Sequence, residues 1–346
     1  MNAVVTESDQ IREHYELDVI PLRYARSLGD IGRPTFRKAL QMCGHLLHIA
    51  RHALFRRPDA VYYTISPTGW ALIRDLCYVT LLKILGIRIV YHIHGSGIAA
   101  SAQSPVLRAW LRWAFAKEWI IHLSPSLASE LHGLASAARC KVLPNGVRSP
   151  SNSAVEATRA GNRILFCSNM MAEKGPLVLV EALGRLARKN IEFTAEFAGP
   201  PTAPEFEARF WNVCRREGVV ERVRWRGAHY GQEKAALFSS ASIFAFPTYY
   251  PPEGVPLVLL EAMSYGLATI ASDQGGIRDI LEDGLTGFIV PPKDVDSLTL
   301  KLETLLLDEQ LRESMGASAR RAFAERYTLD RFERGWLGIM NEALPC

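Results

Sequence analysis

The sequence lacks long apolar runs, paired cysteines and a signal-like start. No stretch approaches 18 uninterrupted apolar residues, and residues 1–16 show no basic start followed by an apolar centre. A membrane-spanning helix and a secretory leader are therefore not expected. The six cysteines show no Cys-x-x-Cys spacing, so we expect reduced, mostly buried thiols rather than zinc ligands. These absences favour a cytoplasmic protein.

Acidic residues are missing from one long stretch, since none occurs between Asp30 and Asp59. Residues 1–150 contain 18 Lys and Arg against 10 Asp and Glu, whereas residues 151–346 contain 22 against 26. Eight of the nine histidines also fall in the first part. This charge split indicates two parts with different partners, the first facing something anionic.

The 346 residues suffice for two domains with full cores. Strand-like runs separated by helical patterns predict an α/β fold with parallel sheets. The runs lie at 18–22, 60–66, 87–94, 119–124, 141–144, 163–169, 193–199, 223–227, 242–247, 268–272 and 287–291. We predict an N-terminal domain at 1–148, a linker at 149–162, a C-terminal domain at 163–325 and a C-terminal helix at 326–346.

Two basic segments with helical periodicity stand out in the first part. In residues 34–57 one face combines Phe36, Leu40, Cys43, Leu47, Ala50 and Leu54, and another combines Lys38, His45, His48, His52 and Arg56. This helix either packs on its sheet as an ordinary surface helix or contacts an anionic membrane surface or a lipid-linked phosphate. Segment 105–119 leaves a membrane interface and core packing equally open; it contains Arg108, Arg112, Lys117, Trp110, Trp113 and Trp119.

The stretch 251-PPEGVPLVLLEAMSYG-266 places one carboxylate before an apolar helix and another inside it. We expect Pro256 to begin this helix and Gly266 to end it. An ionised Glu261 is costly there unless a basic side chain or a ligand hydroxyl satisfies it. The helix start forms an anion site that Glu253 precedes. Hydroxyls on both sides of a diphosphate would suit both carboxylates, which suggests a nucleotide sugar; a structural pair of glutamates is the alternative.

The pattern P-E-G-x-P followed by E-A-M-x-x-G resembles the signature of the retaining glycosyltransferases of family four. The segments 142-VLPNGV-147, 173-EKGPLVLVEAL-183 and 272-SDQGGIRDILEDGLTGFIVPPKDVDSL-298 are similar to further parts of that family, so the resemblance runs from about residue 15 to the end. It implies the GT-B fold, in which two Rossmann-like domains face each other across a cleft and a C-terminal helix returns toward the N-terminal domain.

The resemblance also implies roles for single residues. Glu261 would hold the ribose hydroxyls, Glu253 the transferred sugar and Lys174 the phosphates. His94, in 91-YHIHGSG-97, would face the reacting sugar carbon. The diphosphate would lie against the backbone of Gly254, Val255, Pro256 and Leu257.

The expected substrates are a UDP-, GDP- or ADP-sugar donor and a glycan or lipid-linked glycan acceptor of cell-envelope polysaccharide synthesis. No metal, further cofactor or nucleic acid is implied, because Lys174 and a helix dipole can stabilise the departing diphosphate. The location expected is the cytoplasm, with peripheral contact to the inner face of the membrane.

The sequence departs from the family in two places. Ser168 and Asn169 stand where family members usually carry Gly-Arg, so Asn169 would donate hydrogen bonds without the arginine's charge. Residues 1–14 resemble the end of the family's first helix, so we expect the first strand and its Gly-rich loop to be missing. An inactive nucleotide-sugar-binding protein, a phosphorylase and an epimerase are the alternatives that share the fold.

Two short motifs suggest other chemistry. The stretch 95-GSGIAA-100 fits a dinucleotide fingerprint, but the next strand ends at Ser124 without an acid for a ribose hydroxyl. Asp294 and Asp296 form an Asp-x-Asp before an apolar-periodic segment, where capping of a helix is the better interpretation than metal binding.

Overall fold

The computed structural model describes residues 2–22, 24, 35–150 and 162–344. The chain forms two compact units, one of Met1–Gly146 with Asp330–Cys346 and one of Val147–Leu329. Residues 151–161 of the predicted linker, Pro34 of the predicted basic helix and Cys346 lie outside the described residues.

The described residues of the first unit form a parallel sheet in the order β1-β2-β3-β4. Its strands are β1 Ala60–Ile65, β2 Arg88–Ile93, β3 Trp119–His122 and β4 Cys140–Val142. Its helices up to β4 are α1 Asn2–Glu7, α2 Asp9–Arg12, α3 Phe36–Arg56, α4 Gly69–Ile84, α5 Ile98–Ser101, α6 Pro105–Phe115 and α7 Pro125–Ala128.

The strand predicted at 18–22 is wrong, because these residues pair with no strand. Ile20 and Leu22 instead pack against the apolar core beside the sheet. This extended segment buries one side only. A half-buried strand gives the same alternating pattern, so the pattern predicted a strand here.

The second unit contains a six-stranded parallel sheet in the order β10-β9-β8-β5-β6-β7. Its strands are β5 Arg163–Cys167, β6 Thr194–Ala198, β7 Val223–Gly227, β8 Ile243–Phe246, β9 Ala268–Ser272 and β10 Phe288–Val290. Its described helices are α8 Pro176–Arg188, α9 Pro204–Glu217, α10 Gly231–Ser240, α11 Leu257–Tyr265, α12 Val295–Leu307 and α13 Glu309–Arg326. Strands β5, β8 and β9 are almost wholly buried, as expected where helices cover both faces of a sheet.

Helix α14, Leu329–Ala343, returns the chain to the first unit, as the resemblance implies. Phe332 and Trp336 pack with Val90 and Ile121 of the sheet, and Val5 of α1 joins the same cluster. The opposite face of the sheet packs on α4 and α6. The N-terminal helices and α14 therefore cover the face of the sheet that faces away from α4.

Segment 105–119 takes part in core packing, one of the two interpretations left open for it. Trp110 packs on the core and donates a hydrogen bond to Thr80 Oγ1 at 2.9 Å, and Trp119 packs beside α14. Trp113 is exposed at 43% and lies under the Lys83 ammonium. Core packing therefore accounts for two of the three tryptophans.

The cysteines are less uniformly buried than predicted. Cys167 and Cys214 are buried, Cys77 and Cys140 are partly buried, and Cys43 is exposed. None of the described helices has the length and apolarity needed to cross a membrane.

Candidate functional site

The second unit has a topological switch point between β5 and β8. After β5 the chain builds the sheet outward through β6 and β7, and β8 then returns to the other side of β5. Ligands of open α/β sheets bind outside the carboxyl ends of the strands at such a point. The loops that leave β5 and β8 carry Lys174 and Glu253, so the topology brings these two side chains to one place.

Lys174 and Glu253 form a largely buried ion pair. Lys174 Nζ donates to Glu253 Oε2 at 2.7 Å, and the two side chains are 14% and 8% exposed. The fully buried Thr248 hydroxyl donates to the same oxygen at 3.0 Å. The lysine ammonium also lies 4.4 Å from the Tyr250 ring centroid, a cation–π geometry. The two donors on Oε2 leave Glu253 Oε1 as the carboxylate oxygen for a ligand hydroxyl.

Backbone contacts that require glycine fix these loops. Gly175 has φ +85°, and a Cβ there would lie 2.0 Å from the Pro247 carbonyl oxygen. The Tyr249 amide donates to the Glu173 carbonyl oxygen at 2.7 Å. The loop after β5 is thus locked against the loop after β8, because only a residue without Cβ allows the backbones to approach this closely.

A second glycine supports the backbone of Glu253. A Cβ at Gly275 would lie 2.1 Å from the Glu253 carbonyl oxygen, and the next amide, that of Gly276, donates to Gly254 at 2.9 Å. The Gly-Gly pair after β9 is the sequence signal for this contact, and the sequence analysis assigned it no role in the site.

Glu261 lies in α11 with its side chain 24% exposed. Lys234, in the first turns of α10, donates to both carboxylate oxygens at 2.7 and 2.6 Å. Of the two partners left open for Glu261, the structure therefore supplies the basic side chain. The sequence did not single out Lys234, whose signal was a lone lysine at the start of a helix.

The predicted diphosphate-binding segment leads into α11. Gly254 and Val255 are buried, whereas Leu257 is 39% exposed. Pro256 is the N-cap rather than the first helical residue, because its ψ of 122° is extended. Gly266 ends the helix at φ +69°, as predicted. Asn169 is exposed, immediately beyond β5.

His94 belongs to the first unit, whereas the other predicted site residues belong to the second. It follows β2, and its ring lies 4.0 Å from that of His92. His94 Nε2 is buried and has no hydrogen-bond partner among the described residues. Burial lowers the pKa of His94 to about 4, so the imidazole is neutral near pH 7. A neutral ring with an open nitrogen can accept or donate a hydrogen bond to a ligand.

The two motifs that suggested other chemistry have structural roles. The amides of Gly97 and Ala99, inside the dinucleotide-like stretch, donate to the Glu130 carboxylate at 2.8 and 3.2 Å. A side chain of the protein thus occupies the place of an anion. Asp294 caps α12 by accepting from the Ser297 amide at 3.0 Å, as predicted. The described residues contain no group of three or more His, Cys, Asp or Glu side chains arranged to hold a metal ion.

The parallel sheets with a switch point place the chain in the class of open α/β proteins. The crystal structure of Anabaena HepE in complex with UDP matches 90% of this chain and 85% of its own with a TM-score of 0.71 at 20% identity. This similarity shows the GT-B fold.

Family models match nearly the whole chain. The model described as Glycosyltransferase Family 4 matches residues 3–149, and the model described as Glycosyl transferases group 1 matches residues 151–322. The chain belongs to the family four glycosyltransferases.

Curated relatives match parts of the chain. Alpha-D-kanosaminyltransferase of Streptomyces kanamyceticus is 29% identical over 180 residues, covering 52% of this chain and 45% of the relative. The D-inositol 3-phosphate glycosyltransferase of Paenarthrobacter aurescens is 31% identical over 210 residues, covering 57% and 50%. The chain thus spans about half the length of these curated relatives.

Proposed function

We propose that this protein transfers a sugar from a nucleoside diphosphate donor to a hydroxyl of an acceptor, with retention of anomeric configuration. The observation that carries the proposal is the pair of lysine–glutamate contacts at the switch point, Lys174 with Glu253 and Lys234 with Glu261. Both carboxylates flank the start of α11, where a diphosphate is stabilised by backbone amides and the helix dipole.

In the proposed donor complex each group has one task. Glu261 accepts hydrogen bonds from the ribose hydroxyls, and Lys234 holds its carboxylate in place through two hydrogen bonds. Glu253 Oε1 accepts from a hydroxyl of the transferred sugar. Lys174 retains its contact with Glu253 and uses its remaining N–H groups on the diphosphate, since an ammonium has three donors. Asn169 donates to the same phosphates in place of the arginine usual in the family.

During transfer the bond from the anomeric carbon to the diphosphate breaks, and a bond from that carbon to the acceptor oxygen forms on the same face of the sugar. The acceptor proton leaves to the departing diphosphate. Negative charge grows on the diphosphate in the transition state, where Lys174 and the α11 dipole stabilise it. We propose that this arrangement needs no metal or cofactor, and that the neutral His94 imidazole hydrogen-bonds the sugar near the reacting carbon.

The proposed acceptor is a glycan or a lipid-linked glycan of cell-envelope polysaccharide synthesis, met at the inner face of the membrane. Its support is the basic charge of residues 1–150, which suits an anionic acceptor or its surroundings. The Paenarthrobacter relative is named for an inositol phosphate, which combines hydroxyls with an anionic group.

Calorimetric titration with UDP, GDP and ADP tests the donor site. Wild type should bind one of them, and Glu261→Ala should weaken that binding by about 10- to 100-fold, because hydrogen bonds to a charged group are lost. Glu313→Ala, at an exposed position of α13, is the matched control. Equal binding by wild type and Glu261→Ala, or no binding of any of the three, would show that the assigned site is wrong.

Release of nucleoside diphosphate tests the reaction. Transfer requires release only when the acceptor is present, and the anomeric configuration of the product is then read by NMR. Release without an acceptor, or interconversion of the donor sugar alone, would instead favour another enzyme of the same fold. Binding without any turnover would favour a nucleotide-sugar-binding protein.

A further inference from the structure

Helix α3 carries two apolar stripes, and the protein buries the one that the sequence analysis did not single out. Ile49 and Ala53 are buried, and Met42 and Leu46 pack against the same core. These four residues recur at spacings of three and four and form one face of the helix. They attach α3 to the first unit without using the predicted apolar face.

The predicted apolar face points to solvent. Its exposed members include Phe36 at 86%, Leu40 at 67% and Leu47 at 73%, together with Cys43 and Leu54. Helix α3 thus packs on the core of the first unit, as one of the two interpretations predicted, but through a different face from the one that the periodicity indicated. The periodicity indicated the row with the larger apolar side chains, whereas the contacts with the core use the other row. A helix with two apolar rows can bury only one of them against a single layer. Five apolar or weakly polar side chains in one row on a solvent-exposed helix require a partner.

The charges beside the exposed row have one sign. Arg51 is exposed and adjoins the row, since it lies four residues after Leu47 and three before Leu54, and its guanidinium lies 5.8 Å from the ring centroid of the exposed Phe55. No acidic residue occurs in α3. The carboxylate that reaches the helix is that of Asp18, 3.1 Å from His52, and His52 lies more than a third of a turn from the row formed by Leu40 and Leu47. Among the described residues, the apolar row of α3 thus faces solvent beside Arg51, on a helix that contains no acidic residue.

This charge pattern decides between two occupants of the row. A second copy of α3 would bring basic residues against basic residues, because the helix has no acidic residue, and this opposes association. An anionic lipid surface offers both an apolar interior for the leucines and negative head groups for Arg51 and the other basic residues of the helix. We propose that the exposed row of α3, residues Phe36, Leu40, Cys43, Leu47 and Leu54, is a docking surface for an anionic lipid bilayer.

The helix would lie in the plane of the interface, since α3 is too polar to cross a membrane. The guanidinium of Arg51 would reach the phosphates while its stem lies along the apolar row. Docking rests on the proposed function for its purpose, which is to bring the enzyme to a lipid-linked acceptor. The docking itself requires no donor, so the two proposals can be tested separately.

Sedimentation with vesicles tests the surface. We expect wild type to bind phosphatidylglycerol-containing vesicles at low salt and to bind pure phosphatidylcholine vesicles at least about tenfold more weakly, because the basic residues add electrostatic attraction. The double variant Leu40→Ser with Leu47→Ser should bind the anionic vesicles at least about tenfold more weakly, since two large apolar side chains no longer enter the bilayer. Leu300→Ser with Leu307→Ser, at exposed positions of α12, is the matched control and should bind as wild type does.

Cys43 provides a second, local measurement. Of the cysteines that the structure describes it is the exposed one, and it lies within the row. An environment-sensitive fluorophore on Cys43, with Cys346 replaced by serine, should shift to shorter wavelength when anionic vesicles are added. If the emission of the fluorophore stays at its wavelength in water while the protein is bound to vesicles, this face does not insert into the bilayer.

The proposal fails if wild type ignores anionic vesicles at low salt, or if the leucine variant binds them as tightly as wild type does. It also fails if sedimentation velocity shows a dimer that the leucine variant abolishes while vesicles leave the protein in solution, because a second copy would then be the occupant. Nucleotide binding by the leucine variant should equal that of wild type. If wild type binds vesicles but none of the nucleotides, the proposed function is wrong, whereas the docking surface is still supported.

Discussion

Removal of the Lys174 ammonium should destabilise the protein even without any substrate. Lys174→Met keeps the length and much of the apolar stem of the side chain but deletes the cation that neutralises Glu253. The Glu253 side chain is 8% exposed, and the remaining donor to its Oε2 is the Thr248 hydroxyl. The substitution therefore leaves a nearly buried carboxylate without a counter-ion.

The magnitude follows from this burial. Breaking a buried pair by removing one partner costs about 3–5 kcal/mol, and exposed pairs contribute about 0–1 kcal/mol. Since the lysine side is 14% exposed and Thr248 still donates one hydrogen bond, we expect a loss of about 3 kcal/mol, at the low end of the buried range. Glu253→Gln should cost less, because Lys174 can extend toward water.

Guanidinium unfolding of both single variants and of the double variant measures the coupling, which we expect to be about 1–2 kcal/mol. Lys293→Met is the matched control, since this exposed lysine lies over the Tyr249 ring at 4.5 Å. If Lys174→Met and Lys293→Met unfold within about 0.5 kcal/mol of each other, the ion pair does not hold the site together.

Three further predictions concern the backbone, a carboxylate that accepts from loop amides, and pH. Gly175→Ala should lower the free energy of unfolding by more than about 2 kcal/mol, because the new Cβ meets the Pro247 carbonyl oxygen. Gly218→Ala, at φ +71° with nothing within 4 Å, should lower it by only about 1 kcal/mol. Denaturant unfolding measures both, and equal losses would contradict the close contact. Glu130→Ala should lose about 1–3 kcal/mol, because it leaves two loop amides without their acceptor, and a change below about 0.5 kcal/mol would mean that water replaces the carboxylate. Burial lowers the pKa of His122 to about 4, below the usual value of about 6.5. The unfolded chain then takes up a proton that the folded chain refuses, so the free energy of unfolding should fall as pH falls from about 6.5 toward 4, by about 2 kcal/mol at pH 5; an NMR titration of His122 with a midpoint near 6.5 would disprove this.

The central strands were predictable because they are buried on both faces. Such strands read as short apolar runs, and β9 lies at the predicted bounds. The edge strand β7 also lies at the predicted bounds, although two of its five residues are exposed. Helix caps were also predictable, because a cap depends on residues that lie close together in the sequence, as Asp294 and Gly266 show. Residues 18–22 share the apolar alternation of a strand, and their failure to pair depends on which neighbours the fold supplies.

The sequence by itself determined the α/β class, the order of the elements and the glutamate pair with its lysine at a helix start, because these signals lie within a few residues of one another. Only the tertiary structure decided what depends on contacts between distant segments. It placed Lys234 on Glu261, 27 residues away, and set Gly175 against Pro247. It also turned the stronger apolar face of α3 to solvent, because a periodic pattern states that a helix has an apolar face but not which surface of the protein lies against it.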